Sequence, residues 1–249
     1  MRKMLGFIVA LVAIWAPLVP GFADGIIIPI PGPDIPGPPL RWLTIVYHHV
    51  TVTIENGVAT TKVDQAFRND GEFPIEGTYV FPVPPGAVIQ NFSLWVHGEP
   101  AVGDVLPADE AREIYLSYLR QARDPALLEY IGQGAFRARI FPIEPGETRR
   151  IVLEYVELLS PEGGLFRYRY PLSPERFSAK PLEEVKVEVV VKASRPVGSV
   201  YSPTHTVTVS REAPTSARAL YQEEDVLPDR DFILYYSLAG DGVGLDFLA

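Results

Sequence analysis

Residues 64–69 read DQAFRN, residues 76–88 EGTYVFPVPPGAV, residues 124–130 DPALLEY, residues 141–147 FPIEPGE and residues 153–155 LEY. These segments lie inside a longer pattern of short alternating runs separated by turn residues. Upstream, Val46, His48, Val50, Val52 and Ile54 share one face of a strand, and Tyr47, His49, Thr51 and Thr53 share the other. That two-residue period is the mark of a half-buried strand. Asn56-Gly57 then predicts a hairpin, because both residues tolerate positive φ. The return strand runs from Val58 to Arg68, and further strands are predicted over Gly77–Val83, Val88–His97, Ala135–Phe141, Arg149–Leu158, Leu165–Tyr170, Val185–Val191, His205–Ser210 and Asp231–Leu238. One interruption has a helical period: Ala111, Ile114, Tyr115, Tyr118 and Leu119 form a single apolar stripe between Pro107 and Arg123, with acids at its start and arginines at its end. Many strands around one helix imply an all-β protein, an antiparallel β-sandwich with one inserted amphipathic helix.

At the N-terminus Arg2 and Lys3 precede an apolar run from Leu5 to Val19, and Gly21 and Ala23 supply small residues at a cleavage site. This pattern is a secretory signal peptide over residues 1–23, with a mature start at Asp24. The alternative is an uncleaved membrane anchor, although the run is shorter than the roughly 20 residues a spanning helix needs. Residues 24–42 carry prolines at 29, 31, 33, 36, 38 and 39, so an extended tether is expected there. Residues 43–238 read as one domain and residues 239–249 as a linker or truncated end. Cysteine is absent, so an exported chain must rely on its core. Loss of Arg2 and Lys3 takes the basic count from 22 to 20 against 31 acidic residues, a formal charge of −11. Such a chain repels polyanions, which excludes nucleic acid as the expected partner.

Little of the sequence points to catalysis. His48 and His49 are adjacent on a strand and point to opposite faces, so they do not converge on a metal. There is no GxSxG elbow, HExxH pair or Cys/His cluster, and no cofactor or metal is expected. The acids Glu223, Glu224, Asp225, Asp229 and Asp231 read as a solvated face. Arg137, Arg139, Arg149, Arg150, Arg167 and Arg169 lie on three strands consecutive in sequence. Side by side they would form a basic stripe for an acidic protein or polysaccharide, the alternative being cross-strand pairing with Glu154 and its neighbours.

In combination, several residues resemble the VIT domain, named for vault protein and the inter-alpha-trypsin inhibitor heavy chains. They are Asp64, Gln65, Phe67 and Asn69; Glu76 to Pro84; Ala87, Val88 and Phe92; Glu110 to Arg112 with Tyr115; Leu127 to Glu129; Phe136; Phe141 to Ile143 with Pro145-Gly146; and Leu153 to Tyr155. The resemblance covers about Leu43 to Tyr170 and implies a β-sandwich with an inserted helix. Family members usually carry a following von Willebrand factor A domain with an Asp-x-Ser-x-Ser metal run, which this sequence lacks. The expected function is therefore a secreted or surface-associated, non-enzymatic interaction or scaffolding module. An alternative is the N-terminal part of a longer VIT plus A-domain adhesion protein, and a second is an extracytoplasmic hydrolase using paired carboxylates. N-terminal sequencing of the exported protein is expected to begin at Asp24; a chain beginning at Met1 would show the apolar segment to be an anchor.

Overall fold

The alternation of the first long strand is the template for the rest of the molecule. The computed structural model describes residues 26–29, 43–82, 84–96, 99–101, 135–172 and 180–239. In chain order the strands are β1 (Ile26–Pro29), β2 (Leu43–Glu55), β3 (Val58–Asn69), β4 (Ile75–Pro82), β5 (Val88–Val96), β6 (Glu99–Ala101), β7 (Ala135–Ile143), β8 (Thr148–Leu158), β9 (Pro161–Glu162), β10 (Leu165–Tyr170), β11 (Leu182–Lys192), β12 (Val197–Tyr201), β13 (Thr208–Ala213), β14 (Ser216–Val226) and β15 (Phe232–Leu238). They form an eight-stranded sheet in the order β13-β14-β11-β2-β3-β8-β5-β6, a four-stranded sheet β12-β15-β10-β9 and a three-stranded sheet β1-β4-β7. Among the described residues all pairs are antiparallel except β11 with β2, which run parallel. This departs from the wholly antiparallel expectation; the long connection from β2 to β11 permits it, since parallel neighbours require a crossover rather than a tight turn.

Burial follows the period of two. His48, Val50, Val52 and Ile54 on β2, Val63, Gln65 and Phe67 on β3, Ile151, Leu153 and Tyr155 on β8, and Val185 to Val191 at alternate positions on β11 all face one core. Val46 departs from the pattern because a bulge between Ile45 and Tyr47 shifts the register, so Ile45 is buried instead. The smaller sheets cover this face. Tyr168 of β10 meets Thr61 of β3 at 2.9 Å, and Phe81 of β4 packs against Tyr155 with ring centroids 5.7 Å apart.

One chain of hydrogen bonds crosses all three sheets. The Tyr79 hydroxyl on β4 donates to Gln65 Oε1 at 2.8 Å. Gln65 Nε2 donates to His48 Nδ1 at 2.6 Å, which leaves the ring proton on Nε2 facing the Tyr170 hydroxyl of β10 at 2.8 Å. Gln65 and His48 are fully buried. Burial, reinforced by the neighbouring His49, holds the His48 pKa down at about 3, so the ring is neutral across the physiological range.

Turn chemistry sets the ends. Asn56 and Gly57 take φ of 50° and 87°, the two-residue hairpin geometry read from the sequence. At the far end of β3 the buried Asn69 side chain donates to Phe73 O at 2.7 Å and Ile143 O at 2.8 Å, and its Oδ1 accepts from Gly71 N. That one amide ties the β3–β4 corner to β7.

Several expectations are adjusted. Ile26–Pro29 lies within the expected tether yet pairs with β4 as an edge strand, with Ile27 buried. The strand expected at His205–Ser210 is displaced to Thr208–Ala213, and β12 and β14 were not anticipated. In β14 the core face is small, Ala217 and Ala219, so its alternation carries little hydrophobic contrast. The signal segment, the helix expected at Pro107–Arg123 and residues 240–249 lie outside the described residues.

Two measurements follow from the core. Tyr170→Phe leaves the buried His48 Nε2–H without its acceptor and is expected to cost about 1–3 kcal/mol in chemical denaturation at neutral pH. Glu157, near the end of β8, has a buried Oε1 without a hydrogen-bond partner among the described residues, and burial raises its pKa from 4.5 to about 7. Between those values the folded state holds a proton that the unfolded state has released, so this group makes stability fall as pH rises from 4.5 to 7. Glu157→Gln is expected to remove that decline; an unchanged pH–stability slope would contradict it.

Candidate interaction surfaces

The alternation that buries one face of the eight-stranded sheet leaves the other face uncovered by the two smaller sheets among the described residues, and there the sequence places aromatic and charged side chains. Asp64 of β3 is the centre. Arg150 of β8 forks onto it, Nε to Oδ1 at 2.9 Å and Nη2 to Oδ2 at 2.6 Å, and the Tyr47 hydroxyl of β2 donates to Oδ1 at 3.1 Å. The Arg150 guanidinium also lies 5.1 Å from the centre of the Trp95 ring on β5. On the other side Tyr47 stacks on His49 at 4.6 Å, His49 Nε2 meets Glu184 of β11 at 2.9 Å, and Gln222 of β14 donates to Glu184 at 2.8 Å. Linked side chains thus cross six adjacent strands.

The electrostatics are those of a preset surface. Burial alone would raise the Asp64 carboxyl, but the Arg150 fork outweighs it and holds Asp64 below its usual range. Burial, and then the Asp64 charge, pushes the Tyr47 phenol up to about 12. Arg150 and Asp64 side chains are 40% and 19% exposed, so the pair positions groups more than it stabilises the fold. Beside the band, Arg68 bridges Asp70 and Glu183, and Glu188 holds Arg218. Toward the Asn56-Gly57 end the same face turns apolar, with Val58 paired to Leu158 and both exposed.

The six arginines of the expected stripe are distributed over three sheets. Arg137 and Arg139 lie on β7 of the three-stranded sheet; their side chains lie outside the described residues. Arg149 and Arg150 are on β8 of the eight-stranded sheet and point to opposite faces. Arg149 is buried, bonded to Glu147 and to Pro142 O. Arg167 and Arg169 are on β10 of the four-stranded sheet, where Arg169 pairs with Asp231 at 2.5 Å. The strands β7, β8 and β10 are thus not neighbours in one sheet, and of the six arginines Arg150 is the one that joins the band around Asp64. The acidic cluster is likewise divided: Asp229 pairs with Arg230, Asp231 with Arg169, and Glu223 accepts from Tyr221. His48 and His49 take opposite faces, as read from the sequence. Sequence reasoning missed the Asp64–Arg150–Tyr47 unit; the only available signal was a carboxylate alternating with core residues in DQAFRN.

The family model for the vault protein inter-alpha-trypsin domain matches residues 45–155. The resemblance to the VIT domain family therefore holds over residues 45–155. Among curated proteins it is 27% identical to human protein mono-ADP-ribosyltransferase PARP4 over 112 residues, 45% of this chain and 6% of that protein. It is 28% identical to rat von Willebrand factor A domain-containing protein 5A over 125 residues, 49% of this chain and 15% of that protein. The chain therefore matches only a small part of these relatives' length. A crystal structure of a Legionella pneumophila protein named for nutrient binding superposes with a TM-score of 0.59 at 13% identity, covering 88% of this chain and 72% of that one, a likeness of fold. Within the VIT domain the residues of DQAFRN divide their work: Asp64 organises the open face, Gln65 and Phe67 the core, and Asn69 the corner. Replacing Asp64 by Asn is expected to lower the Tyr47 pKa part of the way toward the ordinary value of about 10 and to cost only about 1 kcal/mol of stability. An NMR titration of the Tyr47 ring and a melting curve check both; an unmoved Tyr47 would show the Asp64 charge to be irrelevant to it.

Proposed function

We propose that this VIT-domain protein is a non-enzymatic interaction or scaffolding module that acts beyond the cytoplasmic membrane, and that it binds a protein partner through the open face of its eight-stranded sheet. The observation that carries this reading is the Asp64–Arg150–Tyr47–His49–Glu184 band. It holds aromatic and charged groups in fixed positions on a face that the core does not use. Such preset groups lower the ordering cost of association, and Tyr, Trp and Arg are the residues most often found at the energetic centre of protein interfaces. The exposed Val58 and Leu158 at one end of the face supply apolar area beside the polar band. Export rests on the N-terminal charge, apolar and small-residue pattern. The surrounding charge favours a partner with basic groups over a polyanion.

A second reading is favoured by the relatives themselves: this chain matches 15% of the rat von Willebrand factor A domain-containing protein, and the sequence given would then be the VIT part of a longer adhesion protein. An in-frame Asp-x-Ser-x-Ser run encoded downstream of Ala249 would favour it.

A pull-down from the native extracytoplasmic fraction, using the mature chain and Arg150→Glu, tests the leading reading. Capture by the wild type and at least a tenfold loss in the variant, with the melting temperature little changed, is the expected result. Equal capture by both proteins would remove the open face from the account.

A further inference from the structure

The four-stranded sheet has an outer face of its own, away from the core. Across it Arg167 of β10, Tyr235 of β15 and Tyr201 of β12 stand in one register row. The Tyr201 and Tyr235 rings stack, with centroids 5.5 Å apart and planes 19° from parallel, and Tyr201 is 39% exposed. Arg167 is exposed and, unlike Arg169 beside it, forms no ion pair or hydrogen bond among the described residues. Tyr201 also opens a surface crevice of about 420 Å³ whose walls include Ser202, Thr204, His205 and Thr206. The crevice is internally braced: Ser202 Oγ accepts from the Thr204 and His205 amides, Thr204 Oγ1 accepts from Ile233 N at 3.0 Å, and His205 rests edge-on against the Tyr221 ring.

We propose that this outer face is a carbohydrate-binding platform, on which the Tyr201–Tyr235 pair stacks against the C–H face of a sugar ring while Arg167 and the hydroxyl-lined crevice bond its hydroxyl groups. Three features favour a sugar over a protein here. The two rings share this face with Arg167, Arg169, Ser199 and Ser237, and its aliphatic side chains are the half-buried Leu165 and Ile233, a smaller apolar area than the patches that mark protein interfaces. Tyrosine offers an apolar face and a polar tip together, and a pyranose offers the complementary pair, a C–H face ringed by hydroxyl groups. The crevice adjoining them is polar and small, suited to a hydroxyl-bearing unit rather than a side-chain anchor. The sugar is neutral. Glu223, Asp229 and Asp231 stand around His205 with Arg230 as their nearby cation, and the chain carries a formal charge of −9, so an acidic polysaccharide meets net repulsion. Burial, and then Arg230, lowers the His205 pKa, which favours the neutral ring, and its Nδ1 is already bonded to Thr204 Oγ1 at 2.9 Å.

Affinity electrophoresis of the mature chain in gels containing hydroxyethylcellulose, mixed-linkage β-glucan, galactomannan or dextran tests this directly, with polygalacturonate as the acidic comparison. Retardation is expected in at least one neutral polymer and not in polygalacturonate. Tyr201→Ala and Tyr235→Ala should each weaken it about tenfold or more, and Arg167→Ala by a few-fold. Tyr201→Phe, which keeps the ring, should retain most of the binding and reports on folding through an unchanged melting temperature. Absence of retardation in all four neutral polymers, retardation indifferent to Tyr201→Ala and Tyr235→Ala, or stronger binding to polygalacturonate would each overturn the proposal.

Discussion

The three sheets formed by the described residues are joined by one buried line of polar atoms, from the Tyr79 hydroxyl through Gln65 and His48 to the Tyr170 hydroxyl. Apolar packing alone is tolerant of sliding, because one aliphatic side chain substitutes readily for another. A buried amide and a buried imidazole are not tolerant, since each loses the full cost of desolvation if its partner moves away. Gln65 and His48 are opposite one another on neighbouring strands of the eight-stranded sheet, and each reaches a tyrosine of a different covering sheet. A one-residue slip of β3 against β2 would turn Gln65 out to solvent and Asp64 into the core. The network thus excludes the nearest wrong register as well as stabilising the right one.

That exclusion connects core to surface. Asp64 and Gln65 are consecutive, so the residue that organises the open face and the residue that anchors the core are held by the same two peptide units. Arg150 and Ile151 repeat the arrangement on β8, with the guanidinium in the open band and the isoleucine in the core. The positions of the exposed aromatic and charged groups are therefore inherited from the packing beneath them. A face of this kind needs little rearrangement to bind. The separate outer face of the four-stranded sheet is built on the same principle, with Tyr235 outward between the buried Leu234 and Tyr236.

Much of the architecture was legible in the sequence, and the reason is periodicity. β2, β10 and β11 alternate between apolar and polar residues over most of their length, and the Asn56-Gly57 turn is a local signal with a steric cause. β14 was not legible, because Ala217 and Ala219 pack its core face and contrast little with their polar neighbours. Nor was the parallel pairing of β2 with β11, which depends on contacts some 135 residues apart, such as Glu184 against Tyr47. The arginine stripe shows the same limit. Alternation says which face of its own strand a residue takes; it does not say which strands become neighbours. His48 is the most instructive position. In sequence it is one apolar-face histidine among valines, and only the fold brings Gln65 and Tyr170 to its two nitrogens.

The central claim is that His48 is a neutral, doubly bonded element of a closed core network, and its side-chain nitrogens report on this directly. In a nitrogen-15 NMR titration of the folded protein the His48 ring should stay neutral, with its proton on Nε2, as pH is lowered from 7 to about 4, because burial places its pKa at about 3. A His48 ring that becomes doubly protonated near pH 6.5 while the protein remains folded would contradict the account.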